Sequence, residues 1–254
     1  MPLLEVNKIN KHFGGLHAVN DVSFTAEKGS ISAVIGPNGA GKTTVFNLIT
    51  GFLTPDSGRI SFEKSEITNL KPHEIAYQGI LRTFQNLKLS GTMTALENVM
   101  IGRHTKSKSG FLSGLLNLPR TWKEEKEIRD SAFSILEKLN IADCAGQEVS
   151  SLPFGKQRAV ELARGLAGEP RLLLLDEPAS GLNIYETAEL GSLIRKINEM
   201  GVTILLVEHD MSLVMDISDH ITVLNFGKKI AAGHPREIQR NEDVINIYLG
   251  DFDA

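Results

Sequence analysis

A chain of 254 residues suits one large domain or two small ones, and 41% apolar with 23% charged residues is ordinary globular composition that supplies a buried core. The balance of 27 basic against 31 acidic residues gives a net charge of -4, which argues against nucleic acid as an obligatory partner. The single cysteine, Cys144, cannot close an internal disulfide, no apolar run reaches the roughly 18 residues of a membrane span, and Met1-Pro-Leu-Leu-Glu5 lacks the basic-then-apolar pattern of a secretory signal. A cytosolic protein is expected, with any membrane attachment coming through a partner.

In chain order, short strands are expected around Leu3–Val6 and Val22–Ala26, followed by the apolar run Ile31–Ile35 between glycines. A helix should open at Lys42 and turn Val45, Phe46, Leu48 and Ile49 inward. From about Asn86 to Pro119 the chain is rich in Ser, Gly, Lys and Thr and reads as exposed loops around one or two short helices. Thr121-Trp-Lys-Glu124 fits a capping box opening a helix whose Ile128, Ala132, Ile135, Leu136 and Leu139 share a face. The charged run from Lys123 to Arg129 is then the solvated side of that helix. Cys144 has no neighbouring His or Cys and is expected to be inert.

Beyond this helical insertion, Arg171–Asp176 and Val202–Glu208 are apolar runs without alternation, as parallel strands covered on both faces require. Ile221–Leu224 and Ile230–Ala232 flank Asn225-Phe-Gly-Lys228 and read as a hairpin. The expectation is an α/β chain forming one domain, with a core over 1–85 and 160–254 and a helical subdomain over 86–159.

The residues that carry chemistry begin with Gly36-Pro37-Asn38-Gly39-Ala40-Gly41-Lys42-Thr43, a match to G-x-x-x-x-G-K-[ST] between an expected strand and an expected helix. Glycines let successive backbone N–H groups turn around a phosphate, and the helix N-terminus points its positive end at the same anion. Lys42 should reach the β- and γ-phosphates of a nucleotide, and the Thr43 hydroxyl should ligate Mg2+. Asp176 ends an apolar strand, which suits a group holding Mg2+ through its water shell. The adjacent Glu177 suits a carboxylate that orients or deprotonates an attacking water. His209 follows a third strand and should emerge at the same carboxyl edge.

Taken together, these residues resemble the ATP-binding subunits of ABC transporters along nearly the whole chain. Phe13 in Lys-His-Phe-Gly-Gly sits where that family places an aromatic that stacks on adenine, and Gln85 in Arg-Thr-Phe-Gln-Asn matches its Q-loop. Leu152-Pro-Phe-Gly-Lys-Gln-Arg158 falls at the signature motif, Asp176 and Glu177 at the Walker B pair, Ser180-Gly-Leu-Asn183 at the D-loop, and His209 at the switch histidine. The resemblance implies a P-loop NTPase fold with a mixed central sheet, an antiparallel β subdomain and a helical insertion. It also implies ATP and Mg2+ as ligands. Catalysis falls to Glu177, His209, Lys42 and Gln85, and the metal to Thr43, Gln85 and Asp176. Nucleotide contacts fall to Phe13, Gly36 to Thr44, Gly155 and Lys156.

The signature motif departs from the family's usual Leu-Ser-Gly-Gly-Gln, since Pro153 replaces serine, Phe154 a glycine and Lys156 glutamine, while Gly155 is retained. The helix N-terminus near Gly155 and the Lys156 ammonium are expected to offset the lost serine hydroxyl. Asn183 replaces the D-loop aspartate. These forms, with Val-Glu-His-Asp-Met-Ser-Leu-Val-Met and the ending Ile-Tyr-Leu-Gly250, are similar to the branched-chain amino acid importer ATPases of bacteria, the longer of the two subunits above all. The resemblance implies a second ATPase subunit docked head to tail, two membrane permeases, an extracytoplasmic solute-binding protein, and a peripheral place on the cytoplasmic face of the cell membrane. Urea or amide importers and lipid or lipopolysaccharide exporters are the alternatives within transport. A soluble ABC ATPase of ribosomes or DNA would carry two cassettes or long insertions, and a non-hydrolysing regulator would lack Glu177 or His209.

Overall fold

The computed structural model describes residues 2–83, 88–103 and 119–249. Among them the strands form two sheets. The first is antiparallel, in the order β2 (Leu16–Glu27), β1 (Pro2–Phe13), β4 (Ser57–Phe62), β5 (Ser65–Glu66). The second runs β10 (Lys228–Gly233), β9 (His220–Asn225), β3 (Ile31–Ile35), β8 (Thr203–Val207), β7 (Leu172–Asp176), β6 (Ile80–Arg82). In it β9, β3, β8, β7 and β6 are mutually parallel and β10 returns antiparallel on the edge.

Strands β1 and β2 are each 12 residues long, well beyond the short strands expected from their apolar ends. The alternation is broken because register slips between Val6 and Ile9, where Lys8 takes a left-handed φ of 46°, and again between Ile9 and Lys11, where Asp21 on the facing strand takes 53°. Each slip moves later side chains to the other face, so a period-2 pattern cannot be followed through it. The Asn10 side chain fills the irregularity, accepting from the Asp21 N–H at 3.0 Å and donating to the Lys8 carbonyl at 2.9 Å.

The central strands read as unbroken apolar runs because two cores use them. Leu172, Leu174, Leu205, Val207 and Val34 face the first sheet and the helix α1 (Lys42–Ile49), whose Val45, Phe46, Leu48 and Ile49 are all buried. Leu173, Leu175, Ile204, Leu206 and Ile35 face a helical layer on the opposite side. That layer holds α3 (Ala95–Gly102), α4 (Pro119–Lys138), α5 (Phe154–Ala167), α6 (Ile184–Glu199) and α7 (Met211–Ile217), counting α2 as Pro72–Tyr77.

Helix α3 starts at a capping box, the Thr94 N–H donating to Glu97 Oε2 at 2.8 Å and the Glu97 N–H to Thr94 Oγ1 at 3.2 Å. Helix α4 begins at Pro119, two residues ahead of the expected cap at Thr121. Its Ala132, Ile135 and Leu136, and Leu139 just past its end, are buried in the helical core as their spacing requires. Cys144 is buried and its thiol donates to the Ile141 carbonyl at 3.0 Å, and burial pushes its pKa up, both of which disfavour the reactive thiolate. The chain ends, within the described residues, in the short helix α8 (Pro235–Ile238) and α9 (Glu242–Leu249). No described helix is long and apolar enough to cross a membrane.

Candidate functional site

The turn from β3 into α1 is built by glycines that cannot be replaced without moving backbone. A Cβ on Gly36, at φ 152°, would lie 2.1 Å from the Leu224 carbonyl oxygen, and one on Gly41, at φ 97°, would lie 2.5 Å from that of Ala18. Gly41 offers no side-chain cap, so the N–H groups of Lys42, Thr43 and Thr44 enter the helix without an intrahelical acceptor. Lys42 Nζ donates to the carbonyls of Gly36 at 2.7 Å and Pro37 at 3.0 Å, which folds its ammonium over the loop and leaves a third donor. Burial pulls the Lys42 pKa down while Glu177, Asp176 and Glu208 pull it up. This turn floors a cleft of about 420 Å³. Phe13, Leu16, His17 and Ala18 of the β1–β2 hairpin line it together with Glu177, Phe226 and Gly227.

Beside the floor, the carboxyl ends of β7 and β8 bring three acids close to the loop. Asp176 is buried, and its Oδ2 accepts from the Arg82 guanidinium at 2.6 Å. Arg82 also donates to Asn47 Oδ1 at 2.7 Å, linking the sheet to α1. Glu177 adopts a left-handed φ of 46°, uncommon outside glycine, with its N–H bonded to the Val207 carbonyl at 2.9 Å. Glu208 is fully buried: Oε1 accepts from the Ala179 N–H at 2.7 Å, and Oε2 from the N–H groups of His209 at 2.9 Å and Asp210 at 3.2 Å. His209 is exposed, its Nδ1 3.7 Å from Glu177 Oε2 and 3.6 Å from Glu208 Oε2, beyond direct hydrogen bonding. Sequence reasoning missed Arg82, which opens the Arg-Thr-Phe-Gln-Asn stretch quoted for Gln85 but was given no role of its own. It also missed Glu208, for which the available signal was an acid closing a fully buried strand.

Of the residues singled out in the sequence, Phe13, Asn38 to Thr44 and Glu177 line one cleft. Pro37 borders a neighbouring cleft with Asn246 and Ile247. Gln85 lies outside the described residues. Gly155 and Lys156 do not reach the phosphate loop of their own chain. They line a separate groove with Leu139, Glu186 and Glu189, and Lys156 Nζ sits 3.3 Å from Asp143 Oδ1. The segment around them is tied to the loop after β7, because the Arg158 guanidinium donates to the Ser180 carbonyl at 3.3 Å and forms a buried pair with Glu161 at 3.0 Å. Asn183 caps α6, accepting from the N–H groups of Tyr185 at 2.9 Å and Glu186 at 3.1 Å, so the amide does the capping work an aspartate would do.

A strand–loop–helix turn with free amides, a lysine over the loop, and two strand-end acids within reach is the geometry of a nucleoside triphosphatase. Comparison with known proteins agrees. The ABC transporter family profile matches residues 19–180, and that of the branched-chain amino acid ATP-binding cassette transporter matches residues 228–254. The chain is 47% identical to the high-affinity branched-chain amino acid transport ATP-binding protein BraF of Pseudomonas aeruginosa, and 45% identical to LivG of Escherichia coli, in both cases over 98% of either chain. Among solved structures, an ATP-binding cassette of an ABC transporter in its ADP conformation superposes with a TM-score of 0.87 at 34% identity, covering 98% of this chain and 99% of that one. A nucleotide-free cassette gives 0.85 at 33% identity, with the same coverage. The chain belongs to the ABC transporter family, as one of its ATP-binding cassettes.

Proposed function

We propose that the chain is the ATP-hydrolysing subunit that energises a membrane importer for branched-chain amino acids. The observation that carries the ATPase reading is the shared cleft of the phosphate loop and Glu177. A triphosphate held by the first-turn amides of α1 and the Lys42 ammonium brings its γ-phosphate beside that carboxylate. Glu177 then orients the attacking water and takes its proton, while Lys42 and the amides hold the charge that develops on the phosphoryl oxygens. His209, exposed at the next strand end, contacts the γ-phosphate side of the nucleotide. Phe13 offers a ring for the base at the mouth of the cleft.

The hydroxyl of Thr43 and the carboxylate of Asp176 are hard oxygen donors suited to Mg2+, with Gln85 as a third ligand. When bound, that ion neutralises charge on the β- and γ-oxygens. Gly155 and Lys156 act on the nucleotide of a second ATPase subunit docked head to tail, which agrees with their distance from the cleft of their own chain. The core, 1–85 and 160–254, holds the nucleotide, and within the helical subdomain, 86–159, roughly Asn86 to Arg103 form the surface that receives a permease.

The solute assignment is supported by likeness along the full length to BraF and LivG, whose names specify branched-chain amino acid transport. It brings two permeases and an extracytoplasmic binding protein as partners, and a peripheral position on the cytoplasmic face of the membrane. The test is ATP hydrolysis by the assembled complex in membranes, with binding protein loaded with leucine, isoleucine or valine. Stimulation by these forms is expected. Stimulation by urea-loaded protein alone, or by none, would discard the solute and keep the motor.

A further inference from the structure

The hairpin joining β9 to β10 turns on Phe226 and Gly227, with φ of 45° and 76°. Two consecutive positive φ angles in a two-residue hairpin loop are the type I′ arrangement, whose first position favours Asn, Asp or Gly. A bulky aromatic there is strained. It also gains nothing from burial, because Phe226 is 84% exposed. Two penalties at one residue without a folding return point to a ligand.

The position of the ring narrows what that ligand is. The Gly227 N–H donates to the Ala40 carbonyl of the phosphate loop at 3.1 Å, and the Asn20 N–H of β2 donates to the Gly227 carbonyl at 2.8 Å. A Cβ on Gly227 would meet the Ala18 oxygen at 2.8 Å, the same atom that forbids one on Gly41. Three backbones therefore meet at this point without room for a side chain: the hairpin of Phe13, the phosphate loop and the hairpin of Phe226. Phe13, 45% exposed, and Phe226 line the same cleft above its polar floor. Phosphates take the floor, which leaves the mouth, with its two exposed rings, for the base. Phe226 also borders Asn246 and Ile247, but its exposure shows that this contact does not hold the ring.

We propose that Phe226 is a second aromatic face of the base site, a positioning residue for the nucleotide base in the cleft it shares with Phe13. This rests on the ATP-binding reading above. The test is calorimetric binding of ATP and of inorganic tripolyphosphate, which has the phosphates and no base, to the purified chain and to Phe226→Asn and Phe226→Trp. Phe226→Asn installs the Asn-Gly pair that the turn favours, so its melting temperature should hold or rise. Expected is a Kd for ATP about tenfold higher in Phe226→Asn and within about twofold of wild type in Phe226→Trp, with tripolyphosphate unchanged in both. Unchanged ATP affinity in Phe226→Asn overturns the proposal and leaves ATP binding intact. Equal weakening of ATP and tripolyphosphate also overturns it, since the loss would then lie in the phosphate loop. Wild-type protein that binds neither ligand would instead overturn the ATP reading on which the proposal rests.

Discussion

Arg82 donates to Asp176 Oδ2 at 2.6 Å, and both side chains are buried, so the carboxylate proposed to serve Mg2+ depends on a guanidinium from the neighbouring strand. The same guanidinium holds Asn47 and lies 5.6 Å from the centre of the Phe46 ring, which ties β6, β7 and α1 into one unit. Removing one member of a buried pair leaves an uncompensated charge, whereas an exposed pair contributes little. Arg82→Met should therefore lower stability by about 3 kcal/mol or more. Arg59→Met, which breaks the exposed pair with Glu66, should cost less than about 1 kcal/mol. Urea unfolding checks this: a fall in midpoint at constant slope is expected for Arg82→Met alone. Equal shifts in the two variants would show that Asp176 does not rely on Arg82.

Glu177 combines a left-handed backbone with a carboxylate facing the cleft, so its folding and functional contributions should separate. Glu177→Gly relieves the backbone and removes an acid from the neighbourhood of Asp176 and Glu208, and its melting temperature should equal or exceed that of wild type. Glu177→Gln keeps the shape and loses the base. Both should hydrolyse ATP at least about a hundredfold more slowly in single-turnover assays. Retained turnover in Glu177→Gln would remove this residue from the proposed catalytic step.

Asp56 accepts from Lys11 Nζ at 2.8 Å and from the His12 N–H at 2.6 Å, and these contacts hold its pKa at about 2, below the ordinary 3.8. A depressed carboxylate adds stability that is fully present above its unfolded value and lost as pH falls through the folded one. The window is thus from about pH 4 down to about pH 2. Asp56→Asn should be less stable than wild type at pH 6, and the gap should narrow progressively below pH 4 in denaturant melts. A gap that stays constant from pH 6 to pH 2.5 would mean the pair is not what Asp56 contributes.

Legibility in the sequence followed the range of the contacts. The phosphate loop, Asp176, Glu177 and His209 could be read because each is defined by its own strand end within a few residues. Strands β1 and β2 were underestimated because the slips at Lys8 and Asp21 break the alternation from which strand length is judged. Arg82 and Asp176 each lie in a stretch singled out in the sequence, but their pairing spans 94 positions and no local pattern links them. Lys156 could be placed on a helix N-terminus from its motif, but its approach to Asp143 follows from how α5 packs, which no spacing encodes. Asn183 is the opposite case: a departure from the family's aspartate proves conservative locally, because both side chains cap a helix equally well.

Glu208 connects the loop after β7 to the loop after β8, since one carboxylate accepts the N–H groups of Ala179, His209 and Asp210. A glutamine in its place has one acceptor oxygen and turns an NH2 group toward at least one of those donors, leaving buried groups unpaired at about 1 to 3 kcal/mol. Glu208→Gln should therefore melt at lower temperature. If the staple also fixes His209 and Glu177 for catalysis, misplacement should lower kcat about tenfold or more while KM changes less than about threefold, because the phosphate loop is untouched. Steady-state ATPase assays well below the melting transition distinguish the cases. A destabilised variant with unchanged kcat would make Glu208 a structural staple alone, whereas a fall in kcat at temperatures where the protein is fully folded would make it a positioning residue for the strand-end acids.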